Sequence, residues 1–185
     1  MKIIKTLLSD CVIIEPKIFE DDRGFFLETF HQERYKALAD INLPFVQDNY
    51  SSSSKGVLRG LHFQKTKPQG KLVRVACGEV FDVAVDLRKG SNTFGQSETV
   101  ILSEKNKKQF WIPPGFAHGF VVLSDFAAFE YKCTDYYDPS DEGSILWSDP
   151  DLNINWPLAN PILSNKDANA NKLVDFLNEN SSFRK

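Results

Sequence analysis

Lys71-Leu72-Val73-Arg74-Val75-Ala76-Cys77-Gly78-Glu79-Val80-Phe81-Asp82-Val83-Ala84-Val85-Asp86-Leu87 reads as two strands, 71–76 and 79–87, meeting at one glycine. The β-branched valines suit a pleated surface, and Gly78 suits a tight turn between the two strands. Segments 57–64, 98–102, 109–112, 116–123 and 127–134 have the same character, rich in Val, Ile, Phe and Tyr. Gly, Pro, Asn and Ser separate them at roughly ten-residue spacing, a rhythm that predicts an all-β sandwich or barrel. Helical signals are few. One covers 32–39, after Phe30-His31. The other covers 167–177, where Ser164 and Asp167 form a Ser-x-x-Asp capping pattern. Gln47-Asp48-Asn49-Tyr50 and the four serines that follow predict a loop. Residues 22–28 predict an edge strand with surface charges. The polar tail 178–185 is expected to fray.

A chain of 185 residues is expected to form one domain over 1–185, with enough length for a real core. Its 42% hydrophobic and 25% charged content is that of a soluble globular protein. A net charge of −3 gives no reason to expect nucleic acid. No apolar run reaches spanning length, so no membrane helix is expected. The opening Met1-Lys2-Ile3-Ile4-Lys5 lacks the apolar core of a secretory leader. Cys11, Cys77 and Cys133 are odd in number and show no Cys-x-x-Cys spacing. They read as reduced thiols of a cytoplasmic protein.

Alternate residues of a strand face opposite sides, so parity sorts the polar residues. Tyr131 shares a face with Phe129 and Cys133, His118 with Phe116 and Phe120, and Lys71 with Val73 and Val75. A lysine, a histidine and a tyrosine therefore fall on inward faces, and a barrel with one polar end would gather them at a ligand-holding mouth. Arg59 and His62 have opposite parity, and a regular strand would separate them. A bulge at Gly60 would turn both toward one pocket.

Each candidate has a structural alternative. A lone histidine is usually a satisfied core residue, but Arg59 and Lys71 beside His62 favour chemistry. A neutral imidazole can take a proton near neutral pH, and nearby cations can hold an anion or a developing oxyanion. His118, in Pro113-Pro114-Gly115-Phe116-Ala117-His118, equally suits a turn leading into a core strand. Tyr131 is either a core tyrosine or a general acid. Asp167 by default caps the last helix. Tyr136-Tyr137-Asp138-Pro139 resembles an exposed aromatic loop able to stack on a base or sugar. No His-x-His occurs and His31 falls in a helical segment, so the reading goes against a metal.

The ordered motifs Asp-x-Arg-Gly-Phe-Phe-x-Glu, Gln-x-Asn-x-Ser, Gly-Val-Leu-Arg-Gly-Leu-His-Phe-Gln, Gly-Lys-Leu-Val-Arg-Val, Pro-Pro-Gly-Phe-Ala-His-Gly-Phe, Tyr-Lys-Cys-Thr and Tyr-Tyr-x-Pro resemble those of the dTDP-4-dehydrorhamnose 3,5-epimerase family. The resemblance runs from about residue 15 to about residue 168. It implies a cupin-type jelly-roll barrel needing no cofactor or metal, a homodimer with shared active sites, and a dTDP-4-keto-6-deoxyhexose substrate in dTDP-L-rhamnose biosynthesis. By position it implies His62 as base, Asp167 as its paired acid, Tyr131 as proton donor, and Lys71 and His118 around the sugar ring. It gives Arg23, Glu28, Gln47, Asn49, Arg59, Glu142 and Lys166 nucleotide-sugar contacts and gives Tyr137 the stacking on thymine. In the family, the segment carrying Arg23 reaches the neighbouring subunit's site. The rival readings are a C3-only epimerase, a ketoisomerase in a similar barrel, a non-catalytic nucleotide-sugar-binding cupin and, remotely, a metal-dependent oxygenase.

Overall fold

The computed structural model describes residues 1–181. In chain order the strands are β1 (Lys2–Lys5), β2 (Val12–Glu15), β3 (Ile18–Asp21), β4 (Gly24–Leu27), β5 (Gln47–Ser54), β6 (Leu58–Gln64), β7 (Lys71–Cys77), β8 (Glu79–Asp86), β9 (Ser97–Ser103), β10 (Gln109–Ile112), β11 (Phe116–Val122), β12 (Phe126–Cys133) and β13 (Glu142–Ser144). The helices are α1 (Gln32–Ala39), α2 (Asn165–Ala168) and α3 (Leu173–Ser181). One antiparallel sheet has the order β1-β2-β10-β7-β12-β5, the other β13-β6-β11-β8-β9, and β3 and β4 form a separate hairpin. This is the cupin-type jelly-roll barrel that the strand rhythm and the motifs predict.

The inner faces follow parity. Val73 and Val75 of β7, Val80 and Ala84 of β8, Phe116, Phe120 and Val122 of β11, and Ala127 and Phe129 of β12 form one buried core between the sheets. Lys71, Asp82, His118 and Tyr131 continue the same rows. The inner surface is therefore apolar along most of its length and polar at one end. Two smaller cores cover the outer faces. One packs α1 through Tyr35 and Ala39 against Leu72 and Trp111. The other packs Leu152 and Leu173 of the C-terminal region against Leu61, Val83 and Val85.

Five expectations need correction. The turn at Gly78 exists, with φ +82°, but β7 and β8 belong to different sheets. The glycine crosses between sheets instead of closing a hairpin. A Cβ there would lie 2.1 Å from the Phe126 carbonyl oxygen, so no larger residue fits. The serine-rich segment is strand β5 rather than a loop, paired along its whole length with β12. Its residues have low intrinsic β-preference, and the available edge of β12 decides. The single C-terminal helix is two helices, because Asn171 leaves the helical path to bridge Ile145. His31 lies just before α1 as its N-cap, with Nδ1 accepting from the Arg34 amide. The fraying expected over 178–185 does not begin at Asn178, since α3 runs through Ser181. Residues 182–185 lie outside the described residues.

Asp86 pins the loop after β8. Its fully buried carboxylate accepts from Arg88, Ser91 and Thr93. Burial alone would raise its pKa, but these bonds outweigh it and hold the carboxyl well below the usual range. A depressed folded-state pKa means the stabilisation is present above the ordinary carboxylate range and is lost as pH falls through the folded value. Asp86→Ala should therefore lower unfolding free energy at neutral pH by about 1–3 kcal/mol, with the difference from wild type shrinking in strong acid. Urea titrations at the two pH values check this.

Candidate active site

His62 comes from β6 and Asp167 from the first turn of α2. The Ser164 hydroxyl accepts from the Asp167 amide at 3.1 Å, so the cap foreseen in the sequence aims the acid. His62 Nε2 lies 2.6 Å from Asp167 Oδ1. Burial would raise the Asp167 pKa, but the hydrogen bond and charge of His62 and the Ser164 cap outweigh it, and the net direction is down. An ionised Asp167 accepts a hydrogen bond from Nε2–H, which fixes the proton on Nε2 and leaves the Nδ1 lone pair free. The Glu142 carboxylate lies 3.9 Å from Nδ1, beyond hydrogen-bonding distance.

His118 of β11 is the direct ladder partner of His62. Its Nε2 is 2.9 and 3.1 Å from the two oxygens of Asp82, which is wholly buried. Its ring stacks on Phe129, which in turn stacks on Phe120. Asp82 was missed in the sequence reading. Its signal was parity, because an acid between Val80 and Ala84 falls on the core face of β8. Burial raises the Asp82 pKa, while the charges of His118 and Lys71 oppose the rise.

Lys71 opens β7, and burial pushes its ammonium pKa down against the pull of surrounding negative groups, Glu142 and Asp82 among them. Tyr131 lies on β12 between Asn49 and Val73 in the ladders. Burial raises its phenol pKa, so the group keeps its proton at neutral pH. His62 and His118 belong to one sheet, Lys71 and Tyr131 to the other.

These four groups line a cavity of about 410 Å³, together with Arg59, Lys166 and Asp167. A second cavity of about 300 Å³ shares His62, Lys71 and Tyr131 and adds Gln47, Asn49, Tyr137 and Glu142. Glu142 ties the second cavity's rim together. Its carboxylate accepts from the Tyr137 hydroxyl at 2.7 Å and pairs with Lys166. Burial would raise the Glu142 pKa, but the bonds from Lys166 and Tyr137 bring it down overall. The same bond raises the Tyr137 phenol to about 12.

The irregularity expected at Gly60 is present. His62 pairs with His118 and Arg59 with Phe120, so two residues of β6 stand opposite the single Gly119. Gly60 has φ +135°, and a Cβ there would lie 2.4 Å from the Gly119 Cα. The extra residue reverses parity, and Arg59 and His62 both reach the larger cavity.

Arg23 and Glu28 are not brought to these cavities. Arg23 lies in the exposed β3–β4 hairpin, paired with Asp21, and Glu28 pairs with Arg34 at 2.6 Å. Among the described residues no group of three or more His, Cys, Asp or Glu side chains is arranged to hold a metal ion.

Fold and site together define a cupin-type barrel equipped for proton transfer, with a histidine–carboxylate pair on one wall and a phenol and a lysine on the other. Residues 5–175 match the family described as dTDP-4-dehydrorhamnose 3,5-epimerase. The enzyme of that name from Salmonella typhimurium is 59% identical over 172 residues, 92% of this chain and 94% of the relative. That from Shigella flexneri is 56% identical over 176 residues, 95% and 97% of the two chains. The crystal structure of the Legionella pneumophila dTDP-6-deoxy-D-glucose-3,5-epimerase with dTDP-4-keto-L-rhamnose superposes with a TM-score of 0.91. It has 60% identity and covers 94% of this chain and 93% of its own. The chain belongs to the dTDP-4-dehydrorhamnose 3,5-epimerase family.

Proposed function

We propose that this chain inverts C3 and C5 of dTDP-4-dehydro-6-deoxy-D-glucose, giving dTDP-4-dehydro-L-rhamnose. The observation that carries the reading is a base and an acid on facing sheets of one barrel, with a half-buried lysine lining the same cavity. The 4-ketone acidifies the hydrogens on both neighbouring carbons. His62 Nδ1 removes one as a proton, and the C–H electron pair moves into an enolate whose charge rests on the former ketone oxygen. Asp167 holds the tautomer and offsets the imidazolium charge. Lys71 faces the enolate oxygen as a preorganised cation in a water-poor site. Tyr131 returns a proton to carbon from the opposite ring face, and the configuration inverts. The tyrosinate regains a proton from solvent and the imidazolium gives its own up to solvent, so no proton is gained or lost overall. Repeating the cycle at the second carbon completes the epimerisation.

That the two cavities share His62, Lys71 and Tyr131 supports a sugar between His62 and Tyr131 and a nucleotide extending past them. Arg59 and Lys166 supply charge for a diphosphate. Gln47, Asn49 and Glu142 offer polar contacts, with Tyr137 as the stacking ring for thymine. Arg23 and Glu28 lie outside their own chain's cavities, which agrees with a homodimer in which the β3–β4 hairpin completes the neighbour's site. The exposed Phe19, Phe25 and Phe26 on that hairpin fit burial against a second copy. One domain spanning 1–185, working in the cytoplasm, suffices for this chemistry. Among the described residues no helix is long and apolar enough to cross a membrane.

Incubation with the keto-sugar in D₂O should place deuterium at both C3 and C5, read by NMR of the product. Label at C3 alone would instead establish a single-centre epimerase.

A further inference from the structure

The segment joining β12 to β13 carries Tyr137 but pairs with no strand along its length; backbone bonds to Gly70 and Lys65 fix its two ends, and side chains hold the stretch between. Gln64, the last residue of β6, is 5% exposed and turns its amide onto the backbone of Asp138. Its Oε1 accepts from the Asp138 amide at 2.9 Å, and its Nε2 donates to the Asp138 carbonyl at 3.1 Å. Gln47 Oε1 accepts from the Tyr137 amide at 2.8 Å. Gln69 Nε2 donates to the Asp135 carbonyl at 2.7 Å. The far end is held by the Asp141 carboxylate, which accepts from the Thr66 and Lys67 amides.

Gln64 is the central fastener. A primary amide presents an NH2 donor and a carbonyl acceptor in one plane, so it can pair with a peptide group as a neighbouring strand would. Because it is buried, water cannot readily replace it there. Its ladder partner is Glu142, which accepts the Tyr137 hydroxyl, so the same stretch of β6 supports the ring at both ends.

We propose that Gln64 is a positioning residue that holds the Tyr137 ring at the cavity mouth and so sets affinity for the pyrimidine end of the substrate, without taking part in proton transfer. This rests on the reading above, in which the nucleotide lodges against Tyr137. Gln64→Met keeps the approximate shape and removes both hydrogen-bonding groups, leaving the Asp138 amide unpaired and its carbonyl with the Asp141 amide alone.

The test is calorimetric titration of the full-length protein with dTDP, beside steady-state kinetics. For Gln64→Met, the dTDP dissociation constant and the KM should rise together by about tenfold, with kcat at the wild-type level. Gln64→Glu keeps the acceptor but sets a second oxygen against the Asp138 carbonyl in place of the donor, and should lose at least as much dTDP affinity; it carries the test if the methionine variant does not fold. In a Tyr137→Ala background, Gln64→Met should cost no further dTDP affinity, because the ring it positions is gone. Unchanged dTDP affinity in the single variants, an equal loss in the Tyr137→Ala background, or a fall in kcat at constant KM would each overturn the assignment. Wild-type protein that fails to bind dTDP would overturn the nucleotide reading as well, a result distinct from a variant that binds as tightly as wild type.

Discussion

His62→Ala should abolish hydrogen exchange at both C3 and C5 while dTDP binding stays near the wild-type level. Loss of a general base typically costs about 10²–10⁴ in rate. Here the upper end is expected, because no second group is poised to replace it. The His118 imidazole lies opposite in the ladder, but its Nε2 is engaged by Asp82 deep in the barrel. Glu142 is the nearest carboxylate to the vacated Nδ1 position, and its oxygens already serve Tyr137 and Lys166. Removing the imidazole also takes from buried Asp167 its main partner, leaving it Ser164 and the charge of Lys166, so a thermal melt should accompany the kinetics. The discriminating pair is NMR-detected exchange in D₂O and calorimetric dTDP affinity. Exchange at the wild-type rate would take His62 out of the mechanism. Lost exchange with lost dTDP binding would make it a structural residue.

Much of this arrangement was legible because one face of each strand is apolar. Valine and phenylalanine at alternate positions mark the inner rows, and a lysine, histidine or tyrosine in such a row stands out by parity. That places Lys71, His118 and Tyr131 correctly, and it would have placed Asp82. The bulge at Gly60 was legible for a related reason: two residues of opposite parity, both suited to one anionic ligand, flank a glycine. What was not legible depended on partners distant in sequence. β5 has loop-like composition and becomes a strand only because the edge of β12 is open to it. The break before α3 depends on a bridge from Asn171 to Ile145. The crossing at Gly78 looks in sequence like any hairpin turn, since nothing local tells which sheet receives the next strand. The Ser164 cap was visible, but that it aims Asp167 at a histidine 105 positions away could be read only from family resemblance.

Tyr131→Phe should separate the two halves of the reaction. The ring stays and only the hydroxyl goes, so packing against Phe129 is kept. Proton removal by His62 does not need the phenol. Exchange of the substrate hydrogen with solvent should persist wherever His62 returns a proton to the face it took it from. Delivery to the opposite face does need the phenol, and epimerised product should fall by about 10²–10⁴. The pH dependence follows from the direction of the phenol's shift. Burial holds its pKa above the ordinary tyrosine value of about 10, so the donor stays protonated across neutral pH. Wild-type epimerisation should therefore lose its donor only on the strongly alkaline side, and that limb should vanish in Tyr131→Phe. The measurement compares, in one NMR time course, deuterium entering recovered substrate with the appearance of inverted product. Equal loss of both would make the hydroxyl part of ketone binding or folding. Retained inversion would require a different group on the second sheet as the acid, and Lys71, with its pKa lowered by the same burial, would be the next to substitute.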